Sequence, residues 1–115
     1  MTVNIYDDLN ALEATLRKTE AYANVQDALE VLHSDEEATK AFMAFRELQV
    51  NFQEKQMRGE ELTEEDLAQA ESITQAAQEN PKIIALLESE KKLSETLDEI
   101  NRVLMKSIQD LYEKY

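Results

Sequence analysis

Glu30-x-x-His33 is the stretch of this chain whose residue types and spacing match a metal-binding pattern. A carboxylate and an imidazole three residues apart share one helix face. Carboxylate-bridged di-iron bundles use that pair twice, with two further Glu facing inward. His33 is the only histidine. One chain therefore cannot complete the set, and a metal-dependent enzyme built on Glu30 and His33 needs a second copy to supply the rest. The simpler expectation places His33 in the last turn of a helix, where it meets the free carbonyls and the negative end of the dipole.

Other chemistry has less support. The chain has no Cys, which excludes disulfides, thiolate metal sites and iron–sulfur ligation. With one Gly it has neither a phosphate-cradling glycine loop nor a Gly-x-Ser-x-Gly elbow. Pairs of carboxylates are inevitable among 25 acids, so their presence decides nothing. The sequence predicts no enzyme, no catalytic residue, no metal and no cofactor.

The net charge of −13 argues against nucleic acid and anionic membranes as direct partners, because phosphate binding needs clustered Lys and Arg. Lys91-Lys92, for example, sits among Glu88, Glu90 and Glu95. An acidic surface also serves solubility without any further role. No run approaches the ~18 apolar residues of a membrane span. Met1 to Asp8 carries two acids and no apolar run, unlike a signal peptide. A cytoplasmic protein is expected.

The elements that position these residues are helices. Gly 1 and Pro 1 leave little for hairpins and sandwich turns. Leu, Ile, Val and Phe total 28 residues, about 24%, enough for a modest core. The expected fold is all-α, a bundle of about five helices forming a single domain over 1–115. Helix one starts near Tyr6-Asp7, with Leu9, Leu12 and Leu16 as its buried face. Helix two covers Glu20 to Leu32, with Tyr22, Val25, Leu29 and Leu32 inward; no Gly or Pro separates it from helix one, so the two can also form one bent helix. Ser34 with Glu37 three residues on reads as a capping box that opens helix three. Phe42, Phe45, Leu48 or Gln49, and Phe52 line that helix to Arg58, and Gly59 suits a left-handed C′ position. Thr63 to Asp66 opens helix four, with Leu67, Ala70, Ile73 or Thr74, and Ala77 inward.

Asn80-Pro81 then starts a helix that no Gly or Pro interrupts before Tyr115. Leu93, Leu97, Ile100, Leu104, Ile108, Leu111 and Tyr115 form one stripe along it. At 1.5 Å per residue the helix is roughly 50 Å long, against a diameter of roughly 35 Å for a compact domain of this length. It is expected to overhang, so an elongated partner helix or a second chain must cover the stripe. Leu97, Leu104, Ile108 and Leu111 are the contact residues chosen there. On helix three, Gln49, Gln53 and Gln56 at i, i+4, i+7 make an uncharged polar line, and with Phe52 they form a second candidate contact. Tyr6, Tyr22, Tyr112 and Tyr115 suit half-buried positions with wet hydroxyls.

Several of these stretches together resemble the YlbF/YmcA/YheA family of small helical bacterial proteins, its YheA-like branch above all. The resemblance spans nearly the full length. It rests on Asn4-Ile5-Tyr6-Asp7, on Phe42-x-x-Phe45-x-x-x-Gln49, on Lys55-Gln56-Met57-x-Gly59-Glu60-Glu61, and on Leu104-Met105-Lys106 with Leu111-Tyr112. It implies an all-helical, self-associating protein without enzymatic activity. Better-studied relatives look like accessory proteins of competence, biofilm, sporulation and ribonuclease Y complexes. Some hold an iron–sulfur cluster through cysteines that this chain lacks. The resemblance also places Pro where Ser107 stands, and Ser keeps the N–H that lets the last helix continue.

The leading expectation is therefore a non-enzymatic homodimer or larger homo-oligomer. The alternative is a regulatory adaptor docked on a foreign protein of an RNA-processing or developmental complex.

Overall fold

The computed structural model describes residues 3–115. Five helices follow in order: α1 (Ile5–Leu16), α2 (Glu20–His33), α3 (Glu36–Arg58), α4 (Glu64–Gln78) and α5 (Pro81–Glu113). No strand occurs among the described residues. The chain divides into two compact units. A middle unit comprises Ala28–Leu87, and a terminal unit comprises the chain up to Asp27 together with Glu88–Tyr115.

Each helix start has a local cause. Asn4 caps α1 by accepting from the Tyr6 amide at 3.1 Å. Thr63 and Asp66 form a reciprocal capping box on α4, the Asp66 amide donating to Thr63 Oγ1 and the Thr63 amide to Asp66 Oδ2, each at 3.0 Å. Asn80 accepts from the amides of Lys82 and Ile83 at the head of α5. Gly59 ends α3 at φ 72°, a left-handed conformation that costs glycine nothing.

One junction differs from the sequence expectation, and at another the structure decides between the two readings left open. Ser34 does not cap α3; its hydroxyl donates to the Val31 carbonyl at 2.6 Å and closes the end of α2. The cap is Asp35, whose carboxylate accepts from the Ala38 amide at 3.1 Å. Helices one and two are separate. Thr19 Oγ1 donates to the Leu16 carbonyl at 2.7 Å and accepts from the Tyr22 amide at 3.2 Å. One hydroxyl thus satisfies both the end of α1 and the start of α2 without Gly or Pro.

The middle unit holds the core. Leu32, Ala38, Phe42, Ala77, Ile83 and Leu86 are buried, and Leu32, Ile83 and Leu86 are fully so. Each of these three contributes roughly 2 kcal/mol by leaving water. The six core residues come from the end of α2, from α3 and α4, and from the first turns of α5. Ala77 of α4 is buried, while Leu67, expected inward, is exposed.

Polar bonds stitch the same elements. Thr39 Oγ1 of α3 donates to the Leu32 carbonyl of α2 at 3.1 Å. Lys82 Nζ of α5 lies 2.9 Å from Asp35 Oδ2 at the cap of α3. Lys55 Nζ of α3 lies 2.6 Å from Asp66 Oδ2 at the cap of α4. The lysine hydrogen bonds, followed by backbone amide donors, hold both carboxyls below the ordinary carboxylate range; partial desolvation opposes them. Each aspartate therefore fixes a helix start and a helix–helix contact with one side chain.

Candidate interaction surface

In the terminal unit no described side chain is buried. Its apolar residues are nevertheless many. Leu9, Leu12 and Leu16, expected to be buried on α1, are exposed or half-buried, Leu12 retaining 38% of its surface. Tyr22 and Val25 of α2, and Leu93 and Ile100 of α5, are half-buried. From Asn101 to Tyr115 every residue is exposed. Leu104 keeps 56% of its surface and Leu111 54%.

α5 runs unbroken through this region. Ser107 keeps its helical amide, and its hydroxyl donates to the Leu104 carbonyl at 3.0 Å. Leu12 of α1 lies beside Glu99, Ile100, Val103 and Leu104 of α5, and together they line a shallow, almost wholly apolar groove. The groove can take another apolar surface, and Glu99 is the one charged residue in its lining. Contiguous apolar patches of this kind mark protein contacts more than free surface.

Leu97, Leu104, Ile108 and Leu111, the contact residues expected on α5, fall on one face and are all exposed. Periodicity missed Val103, Met105 and Tyr112, because at 100° per residue they lie beside the stripe rather than on it. Ile5, Tyr6 and Leu9 add apolar surface from α1.

The candidate residues of α3 belong to the middle unit. Gln49, Gln53 and Gln56 are exposed on α3 as their spacing requires. Phe52 is half-buried and lines a recess with Leu48, Asn51, Lys55, Asp66 and Gln69 at the α3–α4 contact. Arg46 lies over the Phe42 ring, 5.8 Å from its centroid. Glu30 and His33 are both exposed, and His33 Nδ1 bonds the Leu29 carbonyl at 2.8 Å, closing the helix end. No group of three or more His, Cys, Asp or Glu able to hold a metal occurs among the described residues. No described helix is long and apolar enough to cross a membrane.

The chain is all-α, with one cored unit and one unit whose described apolar side chains stay open. It belongs to the family described as control of competence regulator ComK, YlbF/YmcA, whose model matches residues 5–109. A UPF0342 protein of Lysinibacillus sphaericus is 53% identical over 111 residues, covering 96% of each chain. A UPF0342 protein of Staphylococcus aureus strain JH9 is 43% identical over 112 residues, covering 97% of this chain and 98% of that one.

Solved structures agree on the fold. A protein of unknown function (DUF964) from Bacillus stearothermophilus superposes with a TM-score of 0.84 at 29% identity, covering 96% of this chain and 97% of that one. YheA from Bacillus subtilis gives a TM-score of 0.74 at 28% identity, covering 96% and 100%. Bacillus subtilis RicA, solved in complex with RicF, gives a TM-score of 0.70 over 97% and 99% of the chains; its 17% identity shows a shared fold alone. None of these descriptions names a reaction.

Proposed function

We propose that this chain is a non-enzymatic, cytoplasmic helical interaction protein that works as a homodimer or larger homo-oligomer, joined through its terminal unit. Leu97, Leu104, Ile108 and Leu111 carry the contact. Gln49, Gln53 and Gln56 beside Phe52 make a secondary polar edge on α3. One observation carries this reading: the terminal unit displays a full set of large apolar side chains and buries none of them. A core-like surface left open is stabilised only when a second surface covers it.

The test is Leu104→Glu, followed by light scattering coupled to size exclusion, with circular dichroism on the same fractions. An unpaired carboxylate in an apolar seam costs several kcal/mol, and the lost leucine contact adds roughly 2 more. The expected result is a monomer that keeps its helix content. A wild-type monomer at tens of micromolar, or a variant of unchanged mass, overturns the proposal.

A second reading is a regulatory adaptor whose open surface takes a foreign protein of an RNA-processing or developmental complex. Its support is that RicA, a neighbour by fold, was solved in complex with RicF. Affinity capture from native extract followed by mass spectrometry separates the two: stoichiometric foreign protein favours the adaptor, and the chain alone favours self-association.

A further inference from the structure

We infer that α4 opens and unwinds as one unit while the rest of the middle unit stays folded, and that the Lys55–Asp66 ion pair is the latch that sets how often it does so. Self-association is not needed for this, since every residue involved belongs to the middle unit.

Helices that bury little apolar surface of their own are the ones that open locally. α4 packs on α3. Its buried side chain is Ala77, near its C-terminal end. Ala70, Ile73 and Thr74 are half-buried, and Leu67 is exposed. The other helices give the core larger groups: Leu32 from α2, Phe42 from α3, and Ile83 and Leu86 from α5. Releasing α4 therefore returns less of its own apolar surface to water than releasing any of those segments. Once released, it also loses its helix. It has 15 residues, a length at which an isolated helix is marginal in water.

Charge weakens α4 further. From Glu60 to Asn80 the chain carries seven acids and no Lys, Arg or His. Ion pairs about one turn apart join Glu13 to Arg17, Glu54 to Arg58 and Glu99 to Arg102 on or beside α1, α3 and α5. α4 has no base with which to make one. Its base comes from α3, where Lys55 Nζ lies 2.6 Å from Asp66 Oδ2. Among the described residues this is the one side-chain bond between α4 and another helix. The two side chains keep 30% and 22% of their surface, while those of the three local pairs keep more than half. Solvent and salt therefore screen the latch less than they screen those pairs. Asp66 also completes the capping box with Thr63. Docking on α3 and the start of α4 share one carboxylate, so they are made and lost together.

The surroundings permit the movement. Residues 59–63 are exposed throughout, and Gly59 has open space where a side chain would stand. Asp66 and Gln69 border the recess lined by Leu48 and Phe52 of α3. Opening removes that border and uncovers a leucine and an aromatic ring that the closed state half-buries.

Native-state hydrogen exchange, read amide by amide by NMR, tests both parts. In the wild type the amides from Leu67 to Glu79 are expected to share one opening constant, at least ~tenfold larger than that at Leu32 and Leu86. Lys55→Met removes the charge and leaves the Asp66 cap in place. It is expected to raise the opening of α4 by about fivefold, the upper end for a partly exposed pair, with Leu32 and Leu86 unchanged. Thr63→Ala attacks the shared cap from its other side and is expected to act on α4 by a similar factor of about five. Amides of α4 as well protected as Leu32 and Leu86 in the wild type overturn the opening. Acceleration that spreads equally to Leu32 and Leu86, or either variant leaving α4 unchanged, overturns the latch.

Discussion

Leu86 and Leu104 lie on the same helix eighteen residues apart, five full turns, and so point the same way from its axis. Leu86 is fully buried and Leu104 keeps 56% of its surface. The difference is not one of residue type or of periodicity. Around Leu86 the middle unit supplies buried side chains from α2, α3 and α4; around Leu104 the terminal unit supplies one groove beside Leu12 and nothing that closes it. An amphipathic stripe states that burial is required, and the number of neighbouring helices decides whether one chain meets the requirement.

The contrast can be broken by mutation, and the largest effect belongs to the cored unit. Leu86→Ala is expected to cost about 2–5 kcal/mol, the range for a fully buried leucine. Its thermal and denaturant transitions should fall together by circular dichroism at every protein concentration. A loss below ~1 kcal/mol would mean the middle unit is not the core of the chain.

Leu111→Ala sharpens the comparison from the other side. Burial of a half-exposed leucine between copies predicts a loss of about 1–2 kcal/mol, seen as roughly tenfold weaker association in sedimentation equilibrium. The transition of the variant should approach the wild type as protein is concentrated, because association stabilises by mass action. Thr63→Ala comes next in size. It removes the cap of α4 and should cost about 1 kcal/mol in the middle unit, with no change in association.

Acid titration tests the two bridging aspartates. Asp35 and Asp66 have carboxyls lowered below their ordinary value, chiefly by Lys82 and Lys55 respectively. Their contribution is therefore full above the ordinary carboxylate pKa of about 3.9 and is lost as pH falls through the lower folded values. Melting temperature should drop below pH 4, and the double variant Asp35→Asn, Asp66→Asn, which keeps capping acceptors, should show a flatter profile there. An identical slope in both would remove these residues from the account. The smallest effect is expected at Lys40→Ala, since Lys40 and Glu36 are 3.7 Å apart on an exposed helix face. Stability should change by no more than ~0.5 kcal/mol.

Much of the fold is legible from local chemistry. Asn80-Pro81, Thr63 with Asp66, and Gly59 occupy the caps their side chains suit, because capping is decided within four residues of sequence. The errors came where two residues competed for one role. Ser34 and Asp35 both cap well, and Asp35 prevails here because its carboxylate also meets Lys82, a partner 47 residues away. The break at Thr19 reads only weakly from sequence, because Thr19 ends one helix and starts the next without Gly or Pro. Leu9, Leu12 and Leu67 carry inward-looking periodicity yet stand exposed, since periodicity reports which face is apolar and not what faces it.

The sequence by itself determined the helical class, most helix ends and the stripe of α5, all of which follow from propensity, caps and spacing within a few turns. It also ruled out thiol chemistry and a one-chain di-iron site built on paired Glu-x-x-His motifs, by composition alone. Only the tertiary structure decided which apolar faces are satisfied. Burial depends on residues distant in sequence, and packing closes around Leu32, Ile83 and Leu86 but not around Leu104. That unequal closure leaves five amphipathic helices with one cored unit and one unit of exposed apolar faces.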